Sequence, residues 1–344
     1  MANLQLRRIA TYDGVRVLAW YGDVLYACRR YEVMRWSPHA PDWESVARFR
    51  PPWWRNVTSR SALSYRLVRD GFHALAVFDD GTLVGAVPGA IVTCAAGHDE
   101  FRVTHRIDRG TRPLHIMATP SGRLYWGEYF DNPERAEVHI YASEDSGSTW
   151  HVAHTFAPGE IRHVHNLVYD SWGDCTWILT GDEGSECKVL RGSLDLRSIG
   201  VVHQGNQQAR AVAAIPTKDA LYLATDTPLE KNHIYRLERS GRLEQVADLN
   251  ASSIFGCRVG DALFFSTMVE PSTENTDREV HLAGSRNGSE WSTLLRWKKD
   301  SLSMRYFQYG NAILPDGENT TGILTVTTVA VEHDHLTTSL WQVE

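Results

Sequence analysis

Arginines, histidines and carboxylates recur at two kinds of place in this 344-residue chain. One is the start of a short apolar run: Arg112 and His115 in TRPLHI, Arg162, His163 and His165 in IRHVHN, Arg210 in QARAV, Arg305 in SMRYF. The other is the end of the run that follows: Glu128 and Tyr129 in WGEYF, Asp182 in LTGDE, Asp226 in ATDTP, Glu270 in MVEP. Guanidinium groups bind carboxylate, sulfate or phosphate through paired hydrogen bonds, so four on one rim imply an oxyanion. His163 and His165 are two residues apart and leave a strand on the same face. With Tyr129, and with His115 on the neighbouring repeat, they have the right chemistry for a general base and acid. His-x-His spacing, repeated at His333 and His335, also permits a divalent metal. No cysteine joins them and the two pairs fall in different repeats, so no cofactor is expected and no metal ligand is assigned.

These positions are meaningful only if the elements bring them together. Helical periodicity is nearly absent; short β-branched and aromatic runs alternate with Gly, Asp, Asn and Pro. The clearest unit runs TRPLHIMATPSG, RLYWGEYFDN, EVHIYASEDSGSTW, HVAHTF, which is four strands joined by tight turns. Three further copies follow in order. First strands are expected near residues 15, 62, 112, 162, 209, 252 and 305. Four-stranded units at a period of roughly 45 to 50 residues are the signature of a β-propeller. The expectation is an all-β, seven-bladed propeller of antiparallel four-stranded blades, forming a single domain over residues 1–344. The segment after Arg305 holds only three strands, and NLQLRRIAT supplies the fourth, closing the ring and covering an otherwise open sheet edge. In such a ring the starts of first strands and the ends of second strands meet on one face around the axis.

One stretch stands apart from the rim. IYASEDSGSTW places Ser143, Asp145, Gly147, Thr149 and Trp150 in the order S-x-D-x-G-x-T-W between the third and fourth strands of a unit. Asp and Ser cap backbone N–H groups of a tight hairpin, Gly supplies a positive φ, and Trp packs beneath. Fainter echoes are SRNGSEW (Ser285–Trp291), SLD (Ser193–Asp195) and SPHAPDW (Ser37–Trp43). The pattern resembles the Asp-box of sialidase-like (BNR-repeat) propellers, in which that hairpin lies far from the central pocket. The resemblance implies that Asp145 is scaffold.

Sialidases of that superfamily bind a substrate carboxylate with an arginine triad and use a Tyr–Glu pair. An F-R-I-P-type motif is missing from the start of this chain, and TRPL at Arg112 is its nearest echo. The rim chemistry is more similar, by analogy, to seven-bladed polysaccharide lyases, which pair His and Tyr for proton transfer with Arg for a uronate carboxylate. The expected function is cleavage of a glycosidic bond in an acidic saccharide, with β-elimination ahead of hydrolysis. His163 or His165 is then the base and Tyr129 the acid. Arg112, Arg162, Arg210 and Arg305 hold the anion, beside Glu128, Asp182, Asp226 and Glu270. A sialidase-like hydrolase, a non-catalytic glycan-binding propeller and a protein-interaction propeller are the alternatives; metal involvement stays open.

Composition narrows the partners. Thirty-five basic against 42 acidic residues give a net charge of −7 with no long basic run, which disfavours nucleic acid. No window approaches a membrane span and the start lacks a signal-peptide h-region, so a cytoplasmic protein is expected, or a secreted one if a leader was removed. Five scattered cysteines do not make a disulfide framework. Cys175 and Cys187 fall on adjacent strands, but a turn near Gly184 sets Cys187 opposite about residue 181, too far from Cys175 to bridge.

Overall fold

The computed structural model describes residues 4–40 and 42–344. After β1 (Leu6–Asp13), a first meander comprises β2 (Arg16–Gly22), β3 (Val24–Arg29), β4 (Glu32–Trp36) and β5 (Glu44–Phe49). Two short helices, α1 (Trp53–Thr58) and α2 (Ala62–Val68), precede β6 (Ala74–Val77), β7 (Leu83–Val87), β8 (Ala90–Cys94) and β9 (Glu100–Arg106). The third meander is β10 (Met117–Ala118), β11 (Leu124–Gly127), β12 (Val138–Ser143) and β13 (His151–Phe156). The fourth is β14 (Val164–Asp170), β15 (Cys175–Thr180), β16 (Cys187–Gly192) and β17 (Ile199–Gly205). The fifth is β18 (Ala211–Pro216), β19 (Ala220–Thr225), β20 (Asn232–Glu238) and β21 (Leu243–Leu249). The sixth is β22 (Ser253–Val259), β23 (Ala262–Val269), β24 (Glu279–Ser285) and β25 (Ser292–Lys298). A last sheet joins β26 (Gly310–Ile313), β28 (Ile323–Val329), β29 (Thr337–Val343) and, from the other end of the sequence, β1. Leu6 faces Val343 and Asp13 faces Thr337 in that pairing. The remaining β27 (Asp316–Asn319) runs parallel to β2.

Apolar clusters sit between consecutive sheets. Phe72, Leu83 and Val92 pack with Tyr31, Val33 and Phe49, and Val84 and Ile91 with Leu124 and Trp126. Val138 and Ile140 meet Leu167 and Ile178; Trp177 and Val189 meet Leu221 and Leu223. Ile215 and Tyr222 meet Phe265, and Phe264 and Val280 meet Leu324 and Val326. Finally Val17, Trp20 and Leu25 pack on Ile313, Ile323 and Leu340, which returns the series to its start. Strands buried on both faces read as continuous apolar runs, as β15 and β23 do, whereas the outer β17 has no fully buried position. At the axis, a cavity of about 680 Å³ is lined by residues of β2, β6, β10, β14, β18, β22 and β27.

The Ser143 hairpin has the local logic expected of it. Asp145 accepts from Thr149 N (2.8 Å) and Thr149 Oγ1 (2.7 Å), Ser143 Oγ accepts from Gly147 N (2.8 Å), and Gly147 has φ +81°. A Cβ on Gly147 would come within 2.7 Å of Val84, so the turn also keys into the previous sheet. The same bonds recur between β24 and β25, where Asn287 Oδ1 accepts from Ser289 N and Glu290 N, and between β16 and β17 through Ser193 and Asp195. The stretch from Ser37 includes Pro41, which lies outside the described residues.

Three expected boundaries are corrected. The second sheet does not begin near residue 62: that stretch is α2, and its first strand starts at Ala74. In SALSYRLV the buried Tyr65 and Arg66 share one face while Leu63 and Leu67 face out, a helical rather than alternating pattern. Buried Asp70 ties this insertion down, accepting from Tyr31 (2.7 Å), Arg55 (2.7 Å) and Thr58 (2.6 Å). The third sheet likewise opens at Met117 rather than near 112, and the last at Gly310 rather than near 305. Thr180 pairs with Lys188, which puts Cys187 beyond Cys175's reach, and all five cysteines are free thiols. Among the described residues no helix is long and apolar enough to cross a membrane.

Because the Asp145 bonds are local, Asp145→Ala should cost about 1–2 kcal/mol in urea denaturation. It should leave ligand binding at the axis unchanged; loss of binding with stability intact would contradict the scaffold role.

Candidate active site at the axis

Each first strand opens at one end of the axis, and the residue opening or just preceding it is polar in most sheets: Arg16, His73, His163, Arg210, Ser252 and Tyr309. Second strands end at the same level and deliver Tyr129, Asp182, Asp226 and Glu270. Gly181 makes one of these deliveries feasible. It has φ +90°, and a Cβ there would lie 2.0 Å from the carbonyl oxygen of Glu186.

One wall is cationic. The Arg112 guanidinium is pushed down to about 9 by burial and by the charges of Arg16 and Arg69, which marks the three as neighbours. Arg16 is 7% exposed and its Nε has no hydrogen-bond partner; among the described residues none of the three forms an ion pair. His73 is held well below the usual imidazole range by burial and by Arg112, Arg16 and Arg69, so it faces this wall uncharged. Arg69 arrives from the C-terminal end of α2 in a left-handed conformation (φ +52°). Buried guanidinium charge without a counter-ion is costly, and an anion at this wall removes that cost.

The opposite wall carries imidazoles and carboxyls. His163 Nε2 and His165 Nε2 are 3.0 Å apart, 3.5 and 3.3 Å from the Asp182 carboxylate. Burial opposes ionisation of Asp182, yet its bonds to His163 and His165 hold the carboxyl well below the usual range. Arg210 lies 3.2 Å from Asp182 and 3.7 Å from Asp226. Asp226 is buried, one of its oxygens has no partner, and burial outweighs Arg210 to raise its pKa. Glu270 is pushed up to about 7 by burial and by the Asp226 charge, with Arg210 offsetting part. The Tyr129 ring is tilted 47° against that of His163 with centroids 4.4 Å apart and keeps 37% of its surface, yet its phenol is raised by desolvation and by Asp226, Asp182 and Glu270. A group that touches water and is still desolvated lines a narrow hole.

Other rim residues go elsewhere. Glu128 is buried, pairs with Arg109 and accepts from His139 N (2.8 Å), which occupies its carboxylate in the sheet. His115 lies at the axial cavity, 3.0 Å from Asp316. Arg305 is exposed, its guanidinium over the Tyr306 ring at 5.5 Å. Arg162 bridges Asp131 (2.6 Å) and Asp182 (3.6 Å) at the rim. Conversely Arg16, Arg69, His73 and Tyr309 were not among the expected residues. Arg16 was within reach, since it follows directly from a first strand starting near 15. His73 and Tyr309 were hidden by the misplaced starts at 62 and 305, and Arg69 by the unrecognised helix.

Glu270 also sets a stability signature. Its folded pKa of about 7 lies above the ordinary 4.5, so its contribution is fully present below pH 4.5 and is lost as pH rises through 7. Relative to wild type, Glu270→Gln should therefore gain stability between pH 5 and 8, by at most about 3 kcal/mol. Urea denaturation at the two pH values reads this; parallel behaviour of both proteins would contradict it.

No family model matches the chain, and no curated protein matches it. Solved structures do. They include a chain of the crystal structure of the mitotic checkpoint complex (11% identity, covering 98% of this chain and 94% of that one, TM-score 0.58). The WD40 β-propeller domain of Doa1 matches at 9% identity over 99% and 97%, TM-score 0.58. An ancestral GH74 enzyme matches at 14% identity over 88% of this chain but 41% of its own, TM-score 0.53. At such identities the likeness shows the fold alone: this all-β chain has a β-propeller fold.

Proposed function

We propose that the chain is a ring of seven four-stranded blades, of the sialidase-like Asp-box kind, that cleaves a glycosidic bond in an acidic saccharide at the strand-one end of its axis. The observation that carries the reading is the cationic wall of Arg16, Arg69 and Arg112, none of them in an ion pair among the described residues, set across a hole from Glu270, whose carboxyl is pushed up to about 7. The enzymatic fold neighbour is compatible with it, and the WD40 neighbours serve equally well for a binding-only propeller. Arginines that neutralise a uronate carboxylate make the adjacent C–H more acidic. Glu270, as carboxylate, takes that proton; the C–O bond breaks as C=C forms; and Tyr129, which retains its phenolic proton, gives it to the leaving oxygen. His163 and His165 are less suited to be the base, because each Nδ1 is tied to a backbone carbonyl and each Nε2 faces the other and Asp182. Hydrolysis is the second reading, favoured by the same pair of perturbed carboxyls, Asp226 and Glu270, with Glu270 then serving as the acid.

A panel of acidic oligosaccharides read by mass spectrometry and ultraviolet absorbance tests this. Elimination yields an unsaturated, absorbing uronate and hydrolysis a mass gain of water, while binding without either change would leave only a glycan-binding propeller. Arg112→Ala should weaken affinity for the acidic saccharide by about 10- to 100-fold, or 1.4–2.8 kcal/mol, and affect a neutral analogue little. Equal effects on both would remove the carboxylate-binding role.

The pH profile separates the two mechanisms. With Glu270 as base, kcat/KM rises with pH through about 7; with Glu270 as acid it falls there. A profile flat across that range, or unaltered by Glu270→Gln, would exclude Glu270 from either role.

A further inference from the structure

His163 and His165 pose a problem that the saccharide reading does not use. His163 Nδ1 is 3.1 Å from the carbonyl oxygen of Phe130, and His165 Nδ1 is 2.9 Å from that of Ala211. A carbonyl can only accept, so both Nδ1 atoms carry the hydrogen, and in the neutral rings both Nε2 atoms present lone pairs. Those lone pairs point at each other across 3.0 Å, with the carboxylate oxygens of Asp182 at 3.3 and 3.5 Å. With both rings neutral, the two Nε2 atoms and the carboxylate converge without a hydrogen between them, an arrangement that calls for a positive centre, either a proton or a metal ion.

We propose that His163 Nε2, His165 Nε2 and the Asp182 carboxylate form a binding site for one divalent transition-metal ion of the zinc class. The separations suit it: ligand nitrogens about 2.0–2.1 Å from a tetrahedral zinc lie about 3.3 Å from one another. The ligand set of two imidazoles and a carboxylate, without thiolate, is the one catalytic zinc uses with an open fourth position. The outer layer is in place as well. Backbone carbonyls fix both tautomers and ring orientations, which is how metal-binding histidines are held. Burial is high, with His163 5% and His165 3% exposed, so the rings have no freedom to swing to other partners. Arg210 and Arg162 also reach Asp182, at 3.2 and 3.6 Å, and add competing positive charge. Arg210 is shared with Asp226, and a carboxylate has lone pairs to serve an arginine and a metal together. The rival occupant is a proton, giving a His–imidazolium pair on Asp182.

A second group, Asp277, Glu279 and His281, also clusters within ligand distance, but it lies along an outer, partly exposed stretch around β24. It serves as the internal control.

The test needs no substrate, so its failure and that of the saccharide reading are separate events. Full-length protein stripped with a chelator is titrated with Zn²⁺ by calorimetry, and Co²⁺ loading is followed by its visible absorption. About one equivalent should bind with proton release, with a Co²⁺ spectrum of low coordination number. His165→Ala and the near-isosteric Asp182→Asn should each lose saturable binding, whereas His281→Ala should keep it; circular dichroism verifies that each variant is folded. Binding that survives in folded His165→Ala and Asp182→Asn would overturn the proposal. So would a wild-type protein that takes up no metal, which would leave the shared proton as the occupant.

Discussion

The arrangement of charge around the axis is the constraint on which the rest of this structure depends. Arg16, Arg69 from the end of α2 and Arg112 stand on one wall, and carboxyls and imidazoles of the fourth to sixth sheets, with Tyr129, stand on the other, where burial shifts Arg112, Glu270 and Tyr129. Arg210 bridges Asp182 and Asp226, and Arg162 reaches Asp182. Had the cationic wall been paired in the same way, the protein would be more stable and the hole inert. Instead Arg16 is buried with its Nε unsatisfied, and Asp226 is buried with a free oxygen. Opposed unsatisfied groups that do not quench one another are what the proposed saccharide, by carrying both a carboxylate and hydroxyls, would satisfy.

Such a distribution survives because the scaffold is stabilised elsewhere. Every sheet-to-sheet junction is apolar, and the strand pairing of β1 with β29 runs over most of both strands. The Asp145 hairpin and its relatives satisfy their own backbone groups at the periphery. Near the axis, glycine accepts the positive φ beside Asp182, at Gly181, whereas Arg69 at the end of α2 adopts it (φ +52°) without that freedom. Rigid inner strands then hold side chains from positions as far apart as 16 and 270 in register.

Much of this was legible in the sequence, and the exceptions have physical causes. Four-stranded periodicity from Thr111 to Trp297 is regular because each unit repeats the same turn chemistry, so His163, His165, Asp182, Arg210, Asp226 and Glu270 could be placed from blade position alone. The pattern failed between residues 50 and 73, where Trp53, Leu63 and Leu67 look like strand apolars but are exposed helix positions. That one misreading concealed both Arg69 and His73. Glu128 occupies a second-strand end as expected, but an arginine absent from the rim pattern, Arg109, turns it into the sheet. Side-chain direction at a strand end depends on such neighbours, which periodicity does not encode.

The cavity at the opposite end, lined by Tyr21, Trp172 and Arg258 among others, offers aromatic surface and is the rival location for a sugar. Diffraction from a crystal soaked with an acidic disaccharide decides between the two ends most directly. The charge arrangement predicts the carboxylate within hydrogen-bonding distance of Arg16, Arg69 and Arg112, with the glycosidic oxygen turned toward Tyr129 and Glu270. A saccharide seated instead against Tyr21 and Trp172, with the arginine wall left empty, would contradict the account.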